Sequence, residues 1–210
     1  MDDALRLSEF LAARLCHDLS GLAATLGGAC AEAADGNAAS RAEALALARQ
    51  AAEELAGRLR LLRAAWGPPG EAMNAATLAG LAASMPAARR VAIDLSAIDP
   101  AWHLPAPLAR LVLNLLLLAG EALGGGGGVA ISGAPGGAML VSLAGPRAAW
   151  PAAWRDCLAS ADASWAALTS ARGMQAPLTA LIAHAMGARL TLLLPSGTAT
   201  GPAPLLIQPQ

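Results

Sequence analysis

Between Leu5 and Trp66 the chain contains no proline, and its apolar residues recur at helical spacing throughout. Leu11, Leu15, Leu19, Leu22 and Leu26 fall in one narrow arc at roughly 100° per residue, so they form a stripe along a single helix. Further on, Leu45, Ala48, Ala52, Leu55, Leu59, Leu62 and Trp66 alternate spacings of three and four. That is a heptad seam, and it predicts a long helix lying nearly parallel to its neighbours. Ala34-Asp35-Gly36-Asn37 is a turn-forming run between the two stripes. The second helix starts either at a Ser40-Arg41-Ala42-Glu43 capping box or at Asn37 as the cap. The whole reads as an antiparallel helical hairpin. Two helices close a poor core, whereas a homodimer forming a four-helix bundle buries both stripes.

After Trp66 the pattern changes. Gly67-Pro68-Pro69-Gly70 is a linker, dividing the chain into a hairpin domain at 1–67 and a second domain at 71–210. In the second domain, helical signals cover Thr77–Met85, Pro107–Leu123, Trp150–Leu158 and Pro177–Met186. Strand signals cover Val91–Leu95, Val129–Ser132, Met139–Leu143, Arg189–Leu194 and Leu205–Gln208. Strands in runs with helices between them predict an α+β fold, a sandwich with helices on one face of a mixed sheet. The glycine run Gly124–Gly128 has no lysine or hydroxyl at phosphate-loop spacing and reads as a flexible helix-to-strand connection.

Composition narrows the chemistry. All 14 basic residues are arginine, which excludes a Walker-type phosphate loop, a Schiff-base lysine and a protein-kinase lysine. A net charge of −1 gives no general attraction to nucleic acid or to an anionic membrane. Three scattered cysteines form neither a disulfide framework nor a zinc pattern, pointing to a reducing compartment. The N-terminus is acidic and unlike a signal peptide. The most apolar run, Leu111–Gly120, is about half the roughly 20 residues of a membrane span. These features together predict a cytoplasmic protein with no membrane or nucleic-acid partner.

The chemistry-bearing segment is Arg14-Leu15-Cys16-His17-Asp18-Leu19. On the helical wheel the leucine stripe stays within roughly 40° of Leu15, and His17 lies about 200° away. The imidazole therefore points away from the seam. Around it Ala13, Ser20, Gly21 and Ala24 are all small and leave a bare rim. A neutral imidazole is a competent nucleophile near pH 7. Asp18 is positioned to orient the ring, and Arg14 to stabilise a phosphoryl group in transit. The plainer alternative is a surface histidine on an amphipathic helix. His103 precedes Leu104-Pro105 in a loop, and His184 sits on a helix without an acid or cysteine at ligand spacing, so no metal cluster is expected.

This segment, on the first helix of a hairpin followed by an α/β domain, resembles the ChpT-type histidine phosphotransferases of bacterial phosphorelays. Such proteins look like the dimerisation and catalytic halves of a sensor histidine kinase that has lost ATP. Kinases of this type carry an Asn-Leu-Leu-x-Asn-Ala box whose second asparagine holds magnesium. The similar stretch here is Asn114-Leu115-Leu116-Leu117-Leu118-Ala119, with Leu118 at the metal-binding place. An isobutyl group cannot ligate a hard cation. Ala144-Gly145-Pro146 stands where an adenine-reading Asp-x-Gly would follow a strand, and the later glycine box survives only as Gly173-Met174-Gln175. The family's proline five positions after the histidine is Leu22 here, so no kink is expected. Gly21 takes the place of the amide or hydroxyl of phosphatase-competent kinases, implying poor phosphatase activity.

The resemblance implies a homodimeric phosphotransfer protein. His17 takes a phosphoryl group from the receiver domain of a hybrid histidine kinase and passes it to the receiver of a response regulator. Receivers would dock on Phe10, Ala13, Ser20, Gly21 and Ala24 around Arg14, His17 and Asp18. The chain has no cofactor of its own under this reading, magnesium coming with the receiver. Two alternatives are a dimeric scaffold that binds a receiver without transfer, and an autophosphorylating kinase. The kinase is disfavoured by Leu118 and Ala144.

Overall fold

The computed structural model describes residues 2–124, 126–194 and 201–209. The hairpin is α1 (Asp3–Asp35) and α2 (Ala38–Trp66). Asp2 caps α1 by accepting from the Ala4 N–H at 3.1 Å. Of the two candidate starts for α2, Asn37 is the cap: its Oδ1 accepts from the N–H groups of Ala39 and Ser40 at 3.0 and 3.1 Å. Both helices run long, and α1 continues through Leu22 without interruption.

The heptad seam of α2 follows the face that the chain itself buries only in part: Ala48 and Leu62 of the seam are buried, and others are not. The face of α2 that the chain itself buries is rich in small residues: Ala44, Ala48, Ala51, Gly57 and Ala65, with Leu61 and Leu62 near the end. Leu45 and Leu59, both on the seam, remain 56% and 45% exposed. The α1 stripe residues Leu11, Leu15 and Leu19 are half-buried and pack on the edge of the main core. Gly57 serves the contact with the second half, since a Cβ there would meet the Ser84 side chain, and Leu61, Leu62 and Ala65 belong to the main core.

The second half contains α3 (Ala75–Ala82), β1 (Val91–Ile98), α4 (Ala106–Ala122), β2 (Gly127–Gly133), β3 (Met139–Ala144), α5 (Trp154–Ala159), α6 (Ala161–Ala167), α7 (Gln175–Ala185), β4 (Arg189–Leu192) and β5 (Leu205–Gln208). The sheet order is β1-β2-β3-β5-β4, parallel between β1 and β2 and antiparallel elsewhere. The parallel pair needs a crossover, and α4 supplies it. Val91, Leu95, Val129, Ile131, Met139, Val141, Leu205 and Ile207 alternate along their strands on the buried face, under the helices. Helix α4 is buried from Leu111 through Ala119 because it packs against α2, α3 and α7 and shares one core with the strands. No helix among the described residues is long and apolar enough to cross a membrane.

The α+β reading therefore holds, with four local corrections. The helix expected over Thr77–Met85 is α3 at Ala75–Ala82, and the chain turns over 83–85. The Trp150–Leu158 helix begins only at Trp154, since Pro151 and the turn after it precede the first helical residue. Short α6 went unread because its alanines carry no periodic signal; Ser160 caps it through the Ala163 N–H at 3.0 Å. Strand signal at Leu193 and Leu194 exceeds β4, which ends at Leu192.

The glycine run also differs from a flexible connector. Gly127 and Gly128 belong to β2, and Gly126 and Gly127 adopt φ of 97° and 143°. A Cβ on Gly127 would collide with the Ala144 carbonyl on neighbouring β3. Glycine is needed there for backbone shape and close approach.

Hydrogen bonds fasten the hairpin to the sheet half at several points. Arg58 Nε donates to the Ser84 carbonyl at 2.6 Å, and an Arg6 guanidinium nitrogen to the Trp165 carbonyl at 2.9 Å. Asn114 Nδ2, from α4, donates to the Ala65 carbonyl of α2 at 2.6 Å. Trp66 packs against the core where the two halves meet.

Candidate functional site

His17 stands on the outward side of α1 with 76% of its side chain exposed. Asp18, one residue on, is turned inward and only 9% exposed. The His17 Nδ1 lies 3.1 Å from Asp18 Oδ1. An ionised carboxylate only accepts, so this contact assigns the proton to Nδ1 and leaves the Nε2 lone pair facing solvent. An oriented imidazole with a free Nε2 can act as a nucleophile.

Arg14 lies one turn before Asp18, and its nitrogens are all engaged. Nε donates to both Asp18 oxygens, at 3.1 and 3.0 Å. Nη2 donates to Glu121 Oε1 at the end of α4, 2.9 Å away, and Nη1 to the Arg172 carbonyl at 3.1 Å. Arg14 thus joins α1, α4 and the turn before α7. Burial alone would lower its pKa, but the hydrogen bond and charge of Asp18, with the charge of Glu121, raise it on balance. It stays charged at any pH at which the protein is folded.

Burial pushes the Glu121 carboxyl above its ordinary value of 4.5; the charge of Arg14 opposes this and that of Asp18 adds to it. A raised folded-state value means that the folded chain holds this proton more tightly than the unfolded chain. The stability contributed by Glu121 is then fully present below pH 4.5 and is lost as pH rises through the folded value. Denaturant titrations of wild type and Glu121→Gln across that range should show their stability difference shifting against wild type as pH climbs, then levelling. A difference that moves in favour of wild type would contradict this assignment.

The other expected surface residues divide. Ala13, Ser20, Gly21 and Ala24 are exposed, and a Cβ on Gly21 would meet nothing within 4 Å. Phe10 is half-buried and packs against the core, so it offers an edge at most. Beside His17 opens a cavity of about 530 Å³ lined by Ala13, Arg14, His17, Glu121, Ala171 and Arg172. Glu121 and Arg172 escaped the sequence reading. A carboxylate directly after the apolar run Leu111–Gly120 is the visible signal for Glu121; Arg172 carries none.

The kinase-like box has a structural use here. Asn114 is fully buried, donates to the Ala65 and Arg110 carbonyls, and accepts from Gln175 Nε2 at 3.0 Å. Leu118 is fully buried among apolar neighbours. Trp154 lies in the core with Trp150 stacked on it at 6.0 Å. Among the described residues no group of three or more His, Cys, Asp or Glu could hold a metal ion.

Comparison with known proteins identifies the family of the second half and the fold of the whole. The family described as "Histidine phosphotransferase C-terminal domain" matches residues 75–196, more than half of the chain. A solved structure of a bacterial phosphotransferase is 19% identical, with 99% of this chain and 97% of that chain covered at a TM-score of 0.71. The two share a fold. Full-length ShkA in complex with AMPPNP is 20% identical over 95% of this chain and 44% of its own, at a TM-score of 0.39. No curated protein matches the sequence. The chain belongs to the histidine phosphotransferase C-terminal domain family.

Proposed function

We propose that the protein is a phosphorelay intermediate in which His17 carries the phosphoryl group between receiver-domain aspartates. The observation that supports this most is the orientation of His17: Nδ1 held by Asp18 and Nε2 open, on the first hairpin helix of a phosphotransferase family member. The Nε2 lone pair attacks phosphorus of the receiver's phospho-aspartate. The bond between phosphorus and the carboxylate oxygen breaks, and the aspartate leaves with the electron pair. The Nδ1 proton stays on the ring, and its new positive charge is balanced by Asp18. Transfer to a second receiver aspartate reverses these events. Such chemistry depends on positioning and on neutralising charge. The magnesium it uses belongs to the receiver in this reading.

Receivers dock on the exposed rim of Ala13, Ser20, Gly21 and Ala24, with the donor in a hybrid kinase and the acceptor in a response regulator. A homodimer completes the hairpin: Leu11, Leu15, Leu59, Leu62 and Trp66 line an open, almost wholly apolar groove of about 340 Å³, and Leu45 is exposed further along. A second hairpin covering these residues makes a four-helix bundle in the cytoplasm. Sedimentation should return a dimer for wild type and a monomer for Leu59→Glu; a monomeric wild type would contradict the bundle. The second domain, 71–210, acts as a fixed support that binds no ATP. Buried Leu118 and the engaged Asn114 support this over a kinase. Incubation with a phosphorylated receiver tests the function: acid-labile label should move from receiver to this chain, whereas a scaffold would bind and leave the label in place.

A further inference from the structure

The cavity beside His17 joins both halves of the chain, and its charges are unequally committed. We propose that Arg172, from the turn between α6 and α7, is the cation that meets the phosphoryl group as it passes to and from His17. This rests on His17 being the phosphoacceptor. A phosphoryl group in transit spreads negative charge over three oxygens, and a guanidinium matches such oxygens in pairs. Arg14 is adjacent in sequence terms but is not available. To reach the phosphoryl group it would abandon Asp18, a carboxylate 9% exposed, together with Glu121. Stripping a buried carboxylate of its partner is strongly unfavourable.

Arg172 has the opposite character. It is exposed, lines the same cavity as His17, and its guanidinium has no hydrogen-bond or ion-pair partner among the described residues. Its backbone is nevertheless fixed beside the site. The carbonyl of Arg172 accepts from Arg14 Nη1 at 3.1 Å, and the Gly173 N–H donates to Ser170 Oγ at 3.2 Å, closing the turn. Arg14 thus acts as a positioning residue that ties Asp18 on one side and the Arg172 backbone on the other. The second domain then contributes directly to the chemistry: the Nε2–P bond forms and the P–O bond to the receiver carboxylate breaks while Arg172 balances charge on the equatorial oxygens.

The test uses the full chain with two phosphoryl donors, a phosphorylated receiver and phosphoramidate, which carries no protein surface. Arg172→Ala should slow labelling of His17 at least about 10-fold from both donors, because removing one preorganised donor costs roughly 10²–10³ in a closed site and less in one open to water. Arg172→Lys should recover part of the rate. Labelling slowed only with the receiver would reduce Arg172 to a docking contact and overturn the proposal, as would unchanged rates with both donors. If wild type itself takes label from neither donor, the reading of His17 fails and the role of Arg172 fails with it.

Discussion

His17→Gln is expected to remove phosphoryl acceptance completely while leaving the fold unchanged. The side chain is 76% exposed and its one hydrogen bond among the described residues is with Asp18 at 3.1 Å, so its loss should alter stability by no more than about 0.5 kcal/mol. Asp18 keeps its two bonds from Arg14 and is not orphaned. Neither other histidine has a carboxylate on its ring. His184 is half-buried with Nε2 2.9 Å from the Cys157 carbonyl, and His103 is exposed in a loop with Nδ1 3.3 Å from the Ala101 carbonyl. Transfer assays and thermal unfolding, run on the same preparations, check both halves of this expectation. Unfolding of the variant, or retained label, would contradict it.

Arg14→Ala is expected to cause the second large effect, on structure and transfer together. The change leaves Asp18 without its guanidinium partner at 9% exposure and removes the bridges to Glu121 and to the Arg172 carbonyl. Loss of one partner from a buried pair costs about 3–5 kcal/mol when fully enclosed; Arg14 keeps 18% exposure, so about 2–3 kcal/mol is expected here. Asp18 would then turn toward water and release the His17 ring, slowing transfer. Lysine cannot rescue the site, since one ammonium group cannot span the three directions that the guanidinium covers. Denaturant unfolding and single-turnover transfer of Arg14→Ala and Arg14→Lys test this. If either variant retained both stability and rate, the clasp would have to be assigned elsewhere.

Much of the architecture could be read without coordinates because it rests on periodicity. The hairpin, all five strands and helices α3, α4 and α7 announce themselves through apolar spacing, and the outward aim of His17 follows from its angle to the leucine stripe. What stayed hidden depends on contacts distant in sequence. In sequence Arg14 is placed to meet a phosphoryl group, and Glu121 and the Arg172 carbonyl, which occupy its guanidinium, are brought to it only by folding. The heptad on α2 is legible as a stripe, but which of its positions are buried depends on the second half of the chain: Leu62 lies in the main core, and Leu45 and Leu59 stay exposed. The Gly126–Gly127 conformation likewise depends on β3 lying alongside. Asn114 shows the same limit from another side: a kinase-like asparagine in sequence, it is a clasp between α4 and α2 in the fold.

The central claim concerns a single nitrogen on α1. The most direct test is mass spectrometry of the chain after exposure to a phosphorylated receiver, with fragmentation under conditions that preserve phosphohistidine. One phosphoryl group per chain, mapped to His17, is the predicted result. A phosphoryl group mapped to any other residue, or a chain that binds the receiver and gains no mass, would contradict it.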